Sequence, residues 1–278
     1  MAISILNNIA SLAAQNQLQI TQQNLQKTLF QLSSGSRINS GADDAAGLAI
    51  SNGLQANVTA LTQSANNAND GVGSLQVADG ALSQVTTLLN RAVTLATESS
   101  TGTVSSAQRG ALDAEFTQIK AEIDRIGSTT TFNGTSVFTA STTSIFLSDS
   151  ATSSQIGVTV GTLASSAIIN GASTANVSVD DLTTAVKAQT ALTDINSAIS
   201  NVALIRGSIG AGINRLQSAV SVINNQVQNL TAAQDQITAA NIPQQVAKLS
   251  QYTILNQSGI SALAQANSVQ QSILNLLR

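Results

Sequence analysis

The sequence predicts a mainly α protein: long coiled-coil-like helices in a nested antiparallel rod, with a small β-hairpin region at the centre. Three observations predict it. Both ends almost lack charge, because residues 1–26 contain no Asp, Glu, Lys or Arg and residues 236–278 contain only Lys248 and Arg278, where ordinary chains carry about a quarter. Long stretches repeat apolar residues at alternating steps of four and three, the mark of a helix seam that packs on other helices. Between these stretches, Ser and Thr make up 23 of the 53 residues in 128–180, and alternating runs such as Ile156-Gly157-Val158-Thr159-Val160 predict strands and hairpins.

Taken in order, residues 5–32 form the first predicted helix. Leu18, Leu25 and Leu32 recur every seven residues with Leu29 between, and Ile5, Ile9 and Leu12 begin the stripe. Turn residues Ser33-Ser34-Gly35-Ser36 and Ser40-Gly41 interrupt it. Ser40-x-x-Asp43 has the form of a capping box, and Asp43 and Asp44 place negative charge at a helix N-terminus. A long helix follows with the seam Leu54, Val58, Leu61, Ala65, Ala68, Val72, Leu75, Ala78, Leu82, Val85, Leu89, Ala92, Ala96. Its one short step, at Ala78, would overwind a coiled coil locally. Residues 105–126 make another helix, on which Arg109 with Asp113 and Lys120 with Asp124 are spaced for i,i+4 ion pairs.

Helix resumes near Asp180-Asp181. A strong seam runs Ile209, Ile213, Leu216, Val220, Ile223, Val227, Leu230, Gln234, Ile237. Pro243 marks a boundary, after which the terminal helix repeats Ile242, Val246, Leu249, Thr253, Asn256, Ile260, Leu263, Asn267, Gln270, Leu274, Leu277. The expected assembly seam therefore comprises Leu18, Leu25, Leu32, Ile242, Val246, Leu249, Ile260, Leu263, Leu274 and Leu277. Five segments are expected: 1–42 and 241–278 as the two halves of an inner coiled-coil domain, 43–127 and 181–240 as the two halves of a helical rod domain, and 128–180 as the hairpin region. At 1.5 Å per residue the terminal helix is about 50 Å long.

Composition narrows the function. The 24 Asn and 27 Gln, against 9% charged residues, put uncharged amides where surface charges normally stand. A net charge of −3 without a basic patch argues against nucleic-acid binding. With no Cys and no His, disulfides, HExxH metal chemistry and imidazole catalysis are excluded. No cofactor or metal is expected. No window of about 18 apolar residues is present to span a membrane, and the start MAISILNN lacks the form of a cleaved signal peptide. Asp43 and Asp44 are adjacent on a helix and point about 100° apart, so they read as a cap and elbow with Ser40, not as an acid/base pair. Gly35, Gly41 and Gly47 lack the phosphate-loop pattern. No enzyme constellation can be assembled.

The run Leu32-Ser-Ser-Gly-Ser-Arg-Ile-Asn-Ser-Gly-Ala-Asp-Asp-Ala-Ala-Gly-Leu-Ala-Ile50 resembles the N-terminal signature of bacterial flagellins. Glu122-Ile-Asp-Arg-Ile126, Thr131-Phe-Asn-Gly134, Asn214-Arg-Leu216, Ala262-Leu-Ala-Gln-Ala-Asn267 and Ile273-Leu-Asn-Leu-Leu-Arg278 resemble further motifs of that family, in family order. One departure is Val269-Gln270-Gln271, near a place where the family often has proline. The resemblance implies a minimal flagellin with little or no outer domain, exported unfolded by the flagellum-specific type III route and polymerising into the extracellular filament that drives swimming. It implies terminal helices forming the inner tube, and a flagellar cap, junction proteins and an export chaperone as partners. By their place in the motifs, Arg91, Leu95 and Glu115 match an Arg, a Leu and a Glu through which many flagellins are recognised by Toll-like receptor 5. The bottom-up reading adds a mechanism: charge-free terminal helices cannot offset their own ordering entropy, so they are expected to fold on assembly. The competing readings are a hook–filament junction protein and a secreted coiled-coil adhesin binding through 128–180.

Overall fold

The computed structural model describes residues 8–148, 154–170 and 173–276. The chain divides into two compact units, one of residues 1–56 with 229–278 and one of residues 57–228. Five helices carry the fold: α1 (Ile9–Ser34), α2 (Ala45–Ser100), α3 (Ser106–Thr129), α4 (Ala185–Thr238) and α5 (Ile242–Leu276). Seven short strands stand between α3 and α4, as the mainly α class with a small central β region requires.

In the unit 57–228 the core is the face that heptad spacing selects. Leu61, Ala65, Ala68, Leu75, Ala78, Leu82, Val85, Leu89, Ala92 and Ala96 of α2 are all buried, ten of the thirteen seam positions. The short step at Ala78 leaves the seam intact, since Ala78 and Leu82 are both fully covered. From α3 come Phe116, Ile119 and Ile123, and from α4 Ile195, Val202, Ile205, Ile209, Leu216 and Ile223. Many facing positions are alanine, which lets helix backbones approach closely while burying little area per residue.

Helix α3 begins with a full capping box. Ser105 accepts from the Gln108 backbone N–H and Gln108 Oε1 accepts from that of Ser105. Its charged residues depart from the expected i,i+4 pairs. Arg109 donates to the carbonyls of Ser99 (2.8 Å) and Thr101 (2.7 Å) at the end of α2. Asp113 accepts from the Leu182 N–H (2.8 Å). Lys120 Nζ donates to the carbonyls of Asp180 (2.7 Å) and Ser178 (3.3 Å), and Asp124 accepts from the N–H (2.6 Å) and hydroxyl (2.8 Å) of Ser165. The reason is energetic: an exposed i,i+4 pair contributes a few tenths of a kcal/mol, whereas a charged group satisfying an otherwise orphaned backbone donor or acceptor contributes more. Among the described residues, the ion pair internal to α3 is Glu122 with Arg125.

The strands are β1 (Thr131–Phe132), β2 (Thr135–Ser136), β3 (Thr143–Phe146), β4 (Gln155–Val158), β5 (Leu163–Ala164), β6 (Ala167–Asn170) and β7 (Ser173–Ala175). They pair antiparallel as β1–β2, β3–β4 and β5–β6–β7. The β1–β2 turn is Asn133-Gly134, both at positive φ (50° and 75°), the pairing that a two-residue hairpin turn favours. Ile145, Val158, Leu163 and Ile168 turn inward. Helix α4 starts at Ala185, with Thr184 accepting from the Lys187 N–H, five residues after the acidic start expected at Asp180. The segment 176–184 before it instead lies along the helices, with Val177 and Leu182 buried.

Replacing Asp124 by Ala removes both bonds to Ser165. We expect a loss of about 1–3 kcal/mol in urea-induced unfolding of the unit 57–228, read from the core helices by circular dichroism. Replacing the half-exposed Glu122, whose ion pair is with Arg125 on the same helix and not with backbone outside it, serves as the control and should change stability by under about 1 kcal/mol.

Candidate functional site

The terminal unit pairs α1 with α5. The two run antiparallel: Asn8, which caps α1 by accepting from the Ser11 N–H (2.9 Å), also donates to the Ala266 carbonyl (3.0 Å), and Leu18 lies over Gly259. The inward face of α1 is Ser11, Ala14, Leu18, Thr21, Leu25, Thr28 and Leu32 at steps of three and four. The Thr21 and Thr28 hydroxyls donate to the carbonyls of Gln17 and Asn24 on their own helix (2.8 Å each), so they enter the interface already satisfied. The sequence placed Leu18, Leu25 and Leu32 on this stripe, and the fold turns all three toward it. Ile9, Leu12 and Leu29, expected on the same stripe, face water instead. Ile5 lies outside the described residues.

On α5 the inward residues are Gln245, Leu249, Tyr252, Asn256, Gly259, Leu263 and Ala266. This splits the expected seam. Leu249 and Leu263 are half-buried on it, while Ile242, Val246 and Ile260 are exposed. The Leu274 side chain and all of Leu277 lie outside the described residues. Gly259 was not foreseen as a seam residue. A Cβ there would stand 3.1 Å from Leu18 Cδ1, closer than ordinary van der Waals contact, so glycine lets the leucine settle onto the bare helix backbone. Its signal was the seven-residue spacing of Gln245, Tyr252, Gly259 and Ala266, which is not an apolar series.

What remains outward is more apolar than what is packed. Ile9, Leu12, Ile20, Leu29 and Phe30 of α1, with Ile242, Val246, Ile254, Leu255, Ile260 and Val269 of α5, are 43–72% exposed. Singly exposed apolar residues are commonplace, but a set of this size on two nearly charge-free helices marks a contact surface.

The connection from α1 to α2 is tied in place. Gly35 ends α1 in the left-handed conformation (φ 68°), a state L-residues disfavour. Ser36 pairs with Ala239 as an antiparallel bridge. The Arg37 N–H donates to the Thr238 carbonyl (2.6 Å), the Ala240 N–H to that of Gly35 (2.9 Å), and Arg37 Nη2 to that of Ile237 (2.7 Å). The buried Gln31 amide donates to the Arg37 carbonyl (2.7 Å). The expected cap is redistributed: Asp44, not Ser40, caps α2 by accepting from the Gly47 N–H (2.8 Å). Ser40 and Asp43 close the turn before it, with Asp43 Oδ2 accepting from the N–H groups of Asn39 and Ser40. Asp43 also pairs with Lys27 of α1 at 2.6 Å. The Lys27 hydrogen bond, followed by the backbone N–H of Asn39, holds its carboxyl down to about 2.

In the other unit, Arg91 and Glu115 form a two-pronged pair (2.7 and 3.0 Å) between α2 and α3. Their mutual hydrogen bond raises the arginine and lowers the glutamate pKa. Leu95 is fully buried in the α2 core face, so it does not share their surface. Among the described residues no three acidic side chains converge to hold a metal ion, and no helix is long and apolar enough to cross a membrane.

Comparison with known proteins agrees with this architecture. Residues 5–143 match the bacterial flagellin N-terminal helical region and residues 192–277 the bacterial flagellin C-terminal helical region. The chain is 34% identical to a flagellin of Halalkalibacterium halodurans, over 98% of both chains. It is 33% identical to the flagellar filament 33 kDa core protein of Treponema phagedenis, over 98% of this chain and 99% of that one. It is also 33% identical to a flagellin of Listeria monocytogenes, over 97% and 98%. A crystal structure of Bacillus cereus flagellin aligns with a TM-score of 0.48 at 27% identity, covering 61% of this chain and 94% of that one. The chain belongs to the bacterial flagellin family.

Proposed function

We propose that this protein is the structural subunit of an extracellular flagellar filament, and that the helix pair α1–α5 is its assembly element. One observation carries the reading: the terminal helices satisfy each other along one seam and leave eleven large apolar side chains facing water, with almost no charge to keep them there. Copies of the same pair, ranged round an inner tube, supply the missing neighbours. Buried amides can then hydrogen-bond between subunits without the desolvation cost of buried ions. In this reading 1–42 and 241–278 carry the assembly helices, 43–127 and 181–240 the remaining helices, and 128–180 the hairpin region. A helix pair this poor in buried large side chains is weak alone, so its ordering is coupled to association. Members of the family are structural proteins, and catalysis has no part in the reading. An export chaperone, a flagellar cap and junction proteins complete the expected set of partners. The junction-protein and adhesin readings are not favoured, since relatives matched over nearly their whole length bear flagellin and filament-core names.

For an innate receptor of the Toll-like receptor 5 kind, burial of Leu95 narrows the accessible face to Arg91 and Glu115. Double substitution Arg91→Ala with Glu115→Ala should lower receptor signalling by tenfold or more if that face is read. Unchanged signalling would retire the receptor proposal.

The assembly reading is tested by seeding purified chain with short filament fragments and following sedimentation and negative-stain microscopy. The intact chain should elongate the seeds, and a version lacking residues 1–40 and 240–278 should stay monomeric. Phe30→Lys with Ile254→Lys, both at exposed positions, should leave the thermal unfolding of the unit 57–228 unchanged and abolish elongation. Full elongation by that double variant would remove the assembly role from this surface.

Gly259→Ile wedges a branched side chain under Leu18. Overpacking of this kind costs about 1–3 kcal/mol, so the critical concentration for polymerisation should rise about 5- to 150-fold.

A further inference from the structure

Segment 176–184 crosses the helical unit as a strap, and nearly all of its backbone anchors are made by charged or hydroxyl groups. The Val177 N–H donates to the Ser165 carbonyl (2.9 Å). Lys120 holds the carbonyls of Ser178 and Asp180 while its ammonium sits 4.8 Å from the Phe116 ring centroid. Asp113 receives the Leu182 N–H, and the Ser99 hydroxyl donates to the Leu182 carbonyl (2.6 Å). Asp181 turns outward to Lys187 and Thr183. The Asp180 side chain turns inward: the residue is 8% exposed, and its Oδ2 is buried with no hydrogen-bond partner among the described residues.

Buried carboxylates require a counter-charge or several donors. Asp180 has neither in sufficient measure. On the α4 side it faces Asp194, another acid. On the α3 side it faces Lys120, whose donors go to backbone carbonyls. Its own neighbour Asp181 adds a further negative charge, itself paired with Lys187. A carboxyl group buried beside a second acid is stable with its proton and is repelled without it. We propose that protonated Asp180, set beside Asp194, is a latch that fastens the strap 176–184 to α4 in mildly acidic water and releases it toward neutral pH.

Burial, then the charge of Asp194, push the Asp180 carboxyl up to about 6, against the partial opposition of Lys120. An acid raised in the closed state favours closure when protonated. The closed strap is therefore most favoured below the open-state value near 3.8. Opening grows about tenfold per pH unit between roughly 4 and 6 and levels off above, a span of about a hundredfold. Ionised Asp180 gains by swinging toward Lys120, which draws the ammonium from the two carbonyls it clamps.

The test is residue-resolved amide hydrogen exchange on the full chain as monomer, from pH 4 to 7.5, with the Asp180→Asn variant measured alongside to divide out intrinsic exchange. The Val177 and Leu182 amides should exchange faster in the parent relative to the variant as pH rises from 4 to 6, by tenfold or more, with a plateau above. Asp194→Asn should reduce that rise measurably, burial of Asp180 supplying the rest. A flat parent-to-variant ratio overturns the latch, as does a rise that Asp194→Asn leaves at full size. Carboxyl carbon NMR on the unsubstituted protein gives an answer independent of any variant: a midpoint near 6 for Asp180 supports the proposal, and one near 4 overturns it.

Discussion

The terminal unit depends on the antiparallel contact between α1 and α5, and that contact is built to be insufficient. Its inward faces are rich in small or polar residues: Ser11, Thr21 and Thr28 on α1 with leucines at every second step, and Gln245, Asn256 and Gly259 on α5 with Leu249, Tyr252 and Leu263 between them. Such a seam aligns two helices closely and gives little hydrophobic free energy, because small side chains remove little apolar area from water. The larger apolar residues, Phe30, Ile254 and Ile260 among them, lie on the far sides. In the assembly proposed above, the inward face sets how the two helices align and the outward faces are left for association.

The unit 57–228 solves the opposite problem. Its long helices bury most of their heptad faces, and their polar residues fasten the connecting segments. Arg109, Asp113, Lys120 and Asp124 lie along α3: Arg109 reaches the end of α2, Asp113 and Lys120 the strap 176–184, and Asp124 the β5–β6 turn at Ser165. An irregular strap or short strand has backbone groups with no helical partner, and a charged side chain on a rigid helix supplies one at fixed position. Loss of one such anchor leaves a buried N–H or C=O unpaired, so the cost falls on the strap more than on the helix.

Much of this could be read from residues alone, and the boundary of legibility is physical. Heptad spacing located the α2 core nearly residue by residue, since a buried helix face must be apolar whatever covers it. The same logic placed Leu18, Leu25, Leu32, Leu249 and Leu263 on the terminal seam. Ile242, Val246 and Ile260, of the same expected series, face outward within the chain because α5 is apolar on more than one side. Spacing identifies which residues share a face but not which face meets which partner. The heptad Gln245–Tyr252–Gly259–Ala266 won the intrachain contact by shape, with Leu18 settling onto Gly259, and hydropathy does not register shape. The α3 ion pairs were misread for a related reason: i,i+4 spacing is local, whereas the competing acceptors, at Ser99, Thr101, Ser178 and Asp180, were brought near only by the tertiary fold. At the α2 start, two adjacent aspartates made the cap legible and its owner ambiguous. Asp44 took the helix and Asp43 took the turn and Lys27.

The scarcity of charge follows from the same division of labour. A helix that packs on one neighbour can carry charges on its other faces. A helix that must be surrounded cannot, since each buried ion costs several kcal/mol unless well paired. Asn and Gln solve this by offering both donors and acceptors at little desolvation cost, and they stay soluble before assembly. The few charges retained in the terminal unit support this account. Lys27, Arg37 and Asp43 cluster at the connection between α1 and α2, where Lys27 meets Asp43 and Arg37 reaches the Ile237 carbonyl. In the terminal unit charge is concentrated where that turn is fixed, and α5 carries only Lys248.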